Sequence, residues 1–299
     1  MSPSRKHQFI RARLGRWPVS AMCRVLHVSE QGYYRFLRRP EREERDRQLL
    51  EQIYECLRED EENGENYGVR RIIAWLRLRR GYTGGDRRIY RICREQHLTI
   101  HRQHRPNSLT KADRQAEKSE NLIQRDFTAA KPNQKFLTDI TEIPCSDGRL
   151  YLAAVLDCFD GSIQGFHMDD NMRAQLCVQA LENACRGAIT EGAILHSDRG
   201  SQFTSQLFRK ALRRHKLVQS MSGAGRCYDN ARMESFFATL KKEKLYHIDT
   251  TKLPREDVMS IVFRYIHYYN LRRISSVNGG LPPLVYRRYD WTSHQPTAA

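Results

Sequence analysis

Three acidic residues stand where acidic residues are unusual. Asp139 lies inside the strand-like run FLTDITEI, where aspartate is depleted and needs a partner. Asp198 ends the apolar run AILHSD, just before a glycine-containing turn, and Glu234 falls in the helical stretch DNARMESFF after the loop SGAGRCY. Each has an ordinary reading: an arginine partner for Asp139, a turn cap with Gly200 for Asp198, a surface charge for Glu234. Together they define a chemistry. Carboxylate oxygens suit hard divalent cations. Two such ions, about 4 Å apart, activate a water or a sugar hydroxyl and stabilise the leaving oxygen of a phosphodiester. A cation held by Asp198 also turns a repulsive acidic site into one that accepts phosphate. Asn230, Glu234 and Lys241 fall at i, i+4 and i+11, on one helix face, so an amide and a lysine stand beside the carboxylate. Phe236, Phe237 and Leu240 take the core side of the same helix.

The elements that must position these groups follow from periodicity. After Pro132 the chain reads as strands over QKFLTDITEI, DGRLYLAAVLDCF and SIQGFHM, the third entered through the hairpin signal Asp160-Gly161. An amphipathic helix follows over NMRAQLCVQALENACRGA, with Leu176, Ala180, Leu181 and Cys185 on one stripe. GAILHS is a short strand, SQLFRKALRRHKL a helix and VQSMS another short strand. YDNARMESFFATLKKEKL and REDVMSIVFRYIHYYNLRR are the last two helices. Hairpin strands followed by alternating strand and helix predict a mixed α/β sheet flanked by helices.

The first part of the chain is helical and basic. PVSAMCRVLHVSEQGYYRFLRR gives two short amphipathic helices across a tight turn, marked by Val19, Met22, Cys23 and Leu26, then Tyr33, Phe36 and Leu37. Ser29 is the expected N-cap of the second, which makes a helix-turn-helix or another helical hairpin. A charged helix carrying Leu50, Ile53 and Leu57 follows. Two more carry Ile72, Ile73 and Leu76, then Ile89, Ile92 and Cys93, across the turn GYTGGD. Tyr67 to Arg105 holds eleven arginines against two acidic residues. Arg70, Arg71, Arg87 and Arg88 on this helical pair are candidate contacts to the DNA backbone, the alternative being a solvated surface. Residues 106–132 read as a polar linker with some helix. The expected organisation is 1–45 helix-turn-helix-like, 46–105 a basic helical DNA-binding domain, 106–132 linker, 133–245 catalytic core, and 246–299 a C-terminal helix and tail.

Bulk properties agree. The 299 residues carry a formal net charge of +16, with a pI near 9.7. Such a balance favours a polyanionic partner through phosphate contacts and counterion release. No apolar run reaches the roughly 20 residues of a membrane span, and the basic N-terminus lacks the apolar stretch of a signal peptide. A cytoplasmic, nucleoid-associated protein is expected. Eight cysteines without CxxC spacing read as small core residues in a reducing compartment. His97, His101 and His104 lack the paired cysteines of a zinc site.

At TDIT (138–141), HSDRGSQFTS (196–205) and SMSGAGRCYDNARMESFFATLKKE (220–243) the chain resembles the insertion-sequence transposases of the DDE type, with a retroviral-integrase-like core. That family spaces its second aspartate and its glutamate by 35 intervening residues, as do Asp198 and Glu234 here, and places a basic residue seven positions on, as Lys241 is. WPVSAMCRVLHVSEQGYYRFLRR, YGVRRI…RIYRICREQHL and YIHYYNLRR…GGLPP are similar to further family segments, so the resemblance covers nearly the whole chain. Phe136 stands where many relatives have Trp, and ISSVNGG replaces a histidine-containing stretch.

The resemblance implies a ribonuclease-H-like mixed five-stranded sheet with Asp139, Asp198 and Glu234 as ligands of two Mg²⁺ or Mn²⁺ ions. It implies hydrolysis at the element's ends, exposing a 3′-hydroxyl that attacks a second phosphodiester in one step, without a covalent protein–DNA intermediate. Lys241 and Asn230 would position DNA, and His196 and Gln202 would support the site or serve structure. DNA ends and target DNA are the implied partners, bound by a homo-oligomer on paired ends. The family also implies fusion to the product of an upstream reading frame. Two other readings stay open: a nuclease without strand transfer, and a DNA-binding protein without catalysis.

Overall fold

A computed structural model describes residues 2–59, 67–98, 119–223 and 227–288. His101, His104, the linker over 106–118 and part of the loop before Glu234 lie outside these residues.

The N-terminal part is helical: α1 (Pro3–Arg11), α2 (Val19–Leu26), α3 (Glu30–Leu37), α4 (Arg39–Arg58), α5 (Val69–Arg80) and α6 (Asp86–Glu95). Helix α2 stops at His27, which adopts the left-handed conformation (φ 51°), and α3 starts at Ser29, whose hydroxyl accepts from Gly32 N–H at 3.0 Å. The expected cap is therefore in place, and it satisfies one of the free amides of the first turn. Ile10, Met22, Cys23 and Tyr33 close a small core of their own. Leu49, Ile53, Ile72, Leu76, Ile89 and Ile92 join α4, α5 and α6 into a second, which is continuous with the core under the sheet.

The sheet comprises β1 (Lys135–Cys145), β2 (Gly148–Asp157), β3 (Ile163–Asp169), β4 (Ile194–Ser197) and β5 (Val218–Met221), in the order β3-β2-β1-β4-β5. β2 pairs antiparallel with β1 and β3, while β4 runs parallel to β1 and β5 parallel to β4. This is the ribonuclease-H-like arrangement. Alternate residues of β1 and β2 serve two cores. Leu137, Leu152, Ala154 and Leu156 face one, with α10 (Ala231–Glu243) and α11 (Arg255–Leu271). Phe136, Ala153 and Val155 face the other, with α7 (Ala174–Cys185) and α9 (Gln206–Arg214). β2 is buried on both sides, and so it reads as a nearly continuous apolar run.

α8 (Ser201–Thr204) is a single turn after β4, and α12 (Pro283–Arg288) ends the described chain. Residues 119–132 contain no helix. Ile123 is buried in the core, Leu122 N–H donates to Ser220 Oγ at 2.9 Å, and Met221 N–H donates to Glu120 O at 3.2 Å. The described end of the expected linker is thus docked on β5. The seven cysteines described with their side chains are free and buried, as small core residues. No helix among the described residues is long and apolar enough to cross a membrane.

Candidate active site

Asp139 lies within β1, and Asp198 directly follows the last residue of the neighbouring β4. β1 and β4 are parallel, with Leu137 paired to His196, and each aspartate lies two residues further on. An even offset from Leu137 keeps Asp139 on the face that α10 covers, while Asp198 stands just past the end of β4, close enough for its charge to act on Asp139. Helix α10 is held there by Met233, Phe236, Phe237 and Leu240, all buried. Their i, i+3, i+4, i+7 spacing makes one apolar stripe, and each fully buried side chain contributes about 1.5–3 kcal/mol. The start of α10 is tied to β1 beside Asp139: Asn230 Nδ2 donates to the Thr138 carbonyl at 3.2 Å. Glu234 stands one residue off the apolar stripe and is exposed.

The electrostatics show that these groups feel one another. Burial, followed by the charges of Asp198 and Glu234, pushes the Asp139 carboxyl up to about 7, against the Ile140 N–H (2.8 Å to Oδ1) and Lys241, which lower it. Burial also raises Asp198, although Gly200 N–H donates to its Oδ1 at 2.9 Å, and partial desolvation by its surroundings raises Glu234 even though the residue is exposed. Lys241 is lowered by burial, while Asp139 and Glu142 oppose that shift. Among the described residues no three His, Cys, Asp or Glu side chains stand close enough to form a ready coordination shell. All three acids are oxygen donors with raised pKa values, the ligand type that hard divalent cations take. Asn230 Oδ1 is buried with no hydrogen-bond partner among the described residues, an uncommon state for an amide.

His196, two residues before Asp198, has both ring nitrogens engaged within the protein. It is fully buried, its Nδ1 pairs with Ser220 Oγ (2.8 Å) and its Nε2 with Ser222 Oγ (3.1 Å), and burial lowers its pKa to about 4. It joins β4 to β5 as a neutral ring. Gln202 donates to the Met172 carbonyl at 3.0 Å. Gly200 packs closely: an added Cβ would lie 3.1 Å from Asp198 Oδ1 and 3.0 Å from Gln202 Oε1, so both side chains would have to shift by a few tenths of an ångström.

The four candidate arginines divide into two pairs. Arg70 and Arg87 are exposed on α5 and α6. Arg71 and Arg88 serve the fold, because each finds a carboxylate within the protein. Arg71 Nη2 pairs with Glu243 at 2.5 Å, and Arg88 Nε with Asp46 at 2.6 Å. Helical periodicity alone could not separate the pairs, since both carboxylates are remote in sequence.

Asp229 was not legible as a site residue. Its buried carboxylate accepts from Asn121 Nδ2 (2.9 Å), Arg125 Nε (3.2 Å) and Gly223 N–H (3.2 Å), and so fixes the loop that enters α10. Its only sequence signal is an aspartate just ahead of a helix.

Three family models match the chain: an HTH-like domain over residues 43–106, an integrase core domain over 129–227, and a second integrase core domain model over 234–290. The enzyme is therefore a polynucleotidyl transferase of the integrase class. Transposase InsF for insertion sequence IS3A of Escherichia coli (strain K12) is 35% identical over 285 residues, covering 93% of this chain and 96% of that protein. A probable transposase for insertion sequence element IS1353 of Shigella flexneri is 33% identical over 272 residues, covering 90% of this chain and 52% of that protein. A solved structure of the simian T-cell lymphotropic virus intasome in complex with PP2A regulatory subunit B56 gamma is 15% identical, with a TM-score of 0.48 over 76% of this chain and 78% of that one. The chain belongs to the insertion-sequence transposase family of InsF and is a DNA transposase of the DDE type.

Proposed function

We propose that Asp139, Asp198 and Glu234 hold two divalent ions, Mg²⁺ or Mn²⁺, and that this site cuts the ends of an insertion sequence and joins them to target DNA. The observation that carries the reading is positional: Asp139 on β1 lies within electrostatic range of Asp198 at the end of β4 and of Glu234 on α10, three acids from separate elements. The bound ions supply charge neutralisation at the scissile phosphate and a more acidic attacking oxygen. In the first step water bonds to phosphorus and the bond to the element's 3′-oxygen breaks, leaving a 3′-hydroxyl. In the second, that hydroxyl bonds to a target phosphorus and a target 3′-oxygen leaves. One phosphodiester forms as one breaks, so no covalent protein intermediate is needed.

Lys241 and Asn230 place the DNA. The lysine lies within electrostatic range of Asp139 and Glu142, and the unpartnered amide oxygen adjoins β1. Exposed Arg70 and Arg87 contact phosphates from the helical part. The chain divides its labour as 1–45 and 46–105 for DNA, 106–132 as connection, 133–245 for catalysis and 246–299 as support. It acts as a homo-oligomer on paired ends, at the nucleoid in the cytoplasm. Fusion to an upstream reading frame fits the IS1353 relative, where the match takes up 52% of the protein.

The test is cleavage and joining of short duplexes carrying the element's own termini, for wild type and Glu234→Gln side by side. Mg²⁺-dependent cleavage and joining in wild type, both lost in Glu234→Gln with DNA binding intact, is the expected result. Cleavage without joining of a pre-cut 3′-hydroxyl end means a nuclease. Binding without cleavage, even for the fusion with the upstream frame, removes the catalytic reading.

A further inference from the structure

A groove of about 960 Å³ runs between α1, α3, α4 and α6, on the N-terminal helices rather than at the carboxylates. Gln31, Tyr34, Arg35, Arg38, Arg42 and Arg45 line it. Counted from Gln31 they fall at i, i+3, i+4, i+7, i+11 and i+14, the spacing of one helical stripe. The stripe does not break where α3 gives way to α4. Arg38 N–H donates to Tyr34 O at 3.2 Å and Arg42 N–H to Arg38 O at 3.1 Å, so the helical bonding pattern continues through the joint.

The charges of the groove are unbalanced. Five arginines line it, Arg91 of α6 being the fifth, against the acids Glu43 and Asp46. Asp46 is already engaged by Arg88 at 2.6 Å and Arg91 at 2.5 Å, and Arg42 stands 4.0 Å from it. Arg45 donates only to the Glu41 carbonyl among the described bonds, and Arg35 and Arg38 have no carboxylate partner among the described residues. Tyr34 is an exposed aromatic on the same stripe, 47% accessible. His7, across the groove on α1, has a buried Nε2 without a hydrogen-bond partner among the described residues. A row of uncompensated guanidinium groups with an aromatic hydroxyl among them matches a line of phosphates better than an acidic peptide, because arginine forks and tyrosine hydroxyls both suit phosphate oxygens. The stripe also straddles residue 43, where the HTH-like match begins, so most of it lies outside any matched domain.

We propose that this groove seats the sugar-phosphate backbone of DNA, a grip along α3 and α4 that is separate from Arg70 and Arg87. It rests on DNA being the substrate and not on metal at the carboxylates. The test is binding of the full chain to a short labelled duplex by fluorescence anisotropy, in EDTA, over a series of salt concentrations. Each lost phosphate contact lowers the slope of log K against log salt by about 0.9, so Arg35→Gln/Arg38→Gln should lower it by about 1.8. An unchanged slope with an unchanged melting curve overturns the proposal. If the double variant melts early, a photo-crosslinking phenylalanine analogue at position 34 decides: DNA crosslinked there supports the groove, and no crosslink there overturns it. Since no cleavage is measured, failure of the Glu234→Gln experiment leaves this result unaffected.

Discussion

Asp139 holds a proton that an exposed aspartate would release, because burial and two neighbouring carboxylates raise its pKa to about 7. The unfolded chain has no such neighbours and loses that proton near pH 4. Between about pH 4 and 7 the folded chain therefore binds more protons than the unfolded one, and this residue's contribution to stability falls as pH rises. Asp139→Asn removes the penalty. In EDTA, the melting temperature of the variant should exceed that of wild type by a margin that grows from pH 4 to 7 and then levels off. Millimolar Mg²⁺ should shrink the margin at pH 7, since the cation would relieve the same repulsion in wild type. A margin independent of pH would show that the carboxylates do not interact. His196 acts with the opposite sign: its pKa is lowered to about 4, so the stability of its neutral ring is complete above about 6.5 and is lost as pH falls toward 4.

Elements hold the carboxylates only as well as they pack. β3 lies so close to α7 that a Cβ on Gly165 would sit 2.3 Å from Ala184 N and 2.4 Å from Ala180 O. Those are backbone atoms of a helix, which cannot turn aside as a side chain can. Gly165→Ala should cost about 3 kcal/mol, read as a lower midpoint in urea with an unchanged slope. A loss below 0.5 kcal/mol would mean that α7 moves freely over the sheet. On the opposite face α10 is held by four apolar side chains and by the Asn230 bond to Thr138. Small movements of this helix carry Glu234 with them.

At the scale of the whole molecule, Glu243 joins the two halves. Its carboxylate accepts from Arg71 of α5, from Arg273 at 2.8 and 2.9 Å, and from Tyr265 Oη at 2.8 Å. Burial alone would raise its pKa, but the two arginines outweigh burial and hold it low. A depressed carboxyl contributes stability above the ordinary carboxylate range and loses it as pH falls through its own pKa. Glu243→Gln leaves two arginines facing a neutral amide, which should cost about 3 kcal/mol at pH 7. The cost should shrink as pH falls through that depressed pKa, where the wild-type carboxyl also becomes neutral. A neutral-pH melt equal to wild type would show that the helical half is not anchored there. The same cluster explains why Arg71 is unavailable to DNA while its neighbour Arg70 is exposed.

Much of this was decided along the chain. Period-two and period-3.6 patterns mark β1, β2, α7 and α10, because each side of an element meets either core or water. Ser29 marks the start of α3 by its chemistry alone. Asp139, Asp198 and Glu234 were conspicuous because a carboxylate in a strand, at a strand end, or one step off a core stripe is costly without a reason. Their 35-residue spacing from Asp198 to Glu234 also carried the family resemblance. What the tertiary structure decided concerns partners remote in sequence. Arg71 meets Glu243 across 172 positions, Arg88 meets Asp46 across 42, and Asp229 meets Asn121 across 108. No local period encodes such pairs, since an arginine on a helix looks the same whether water, DNA or a distant carboxylate awaits it. The sequence by itself determined which residues could do chemistry. Only the fold determined which charges were already engaged and which remained for DNA.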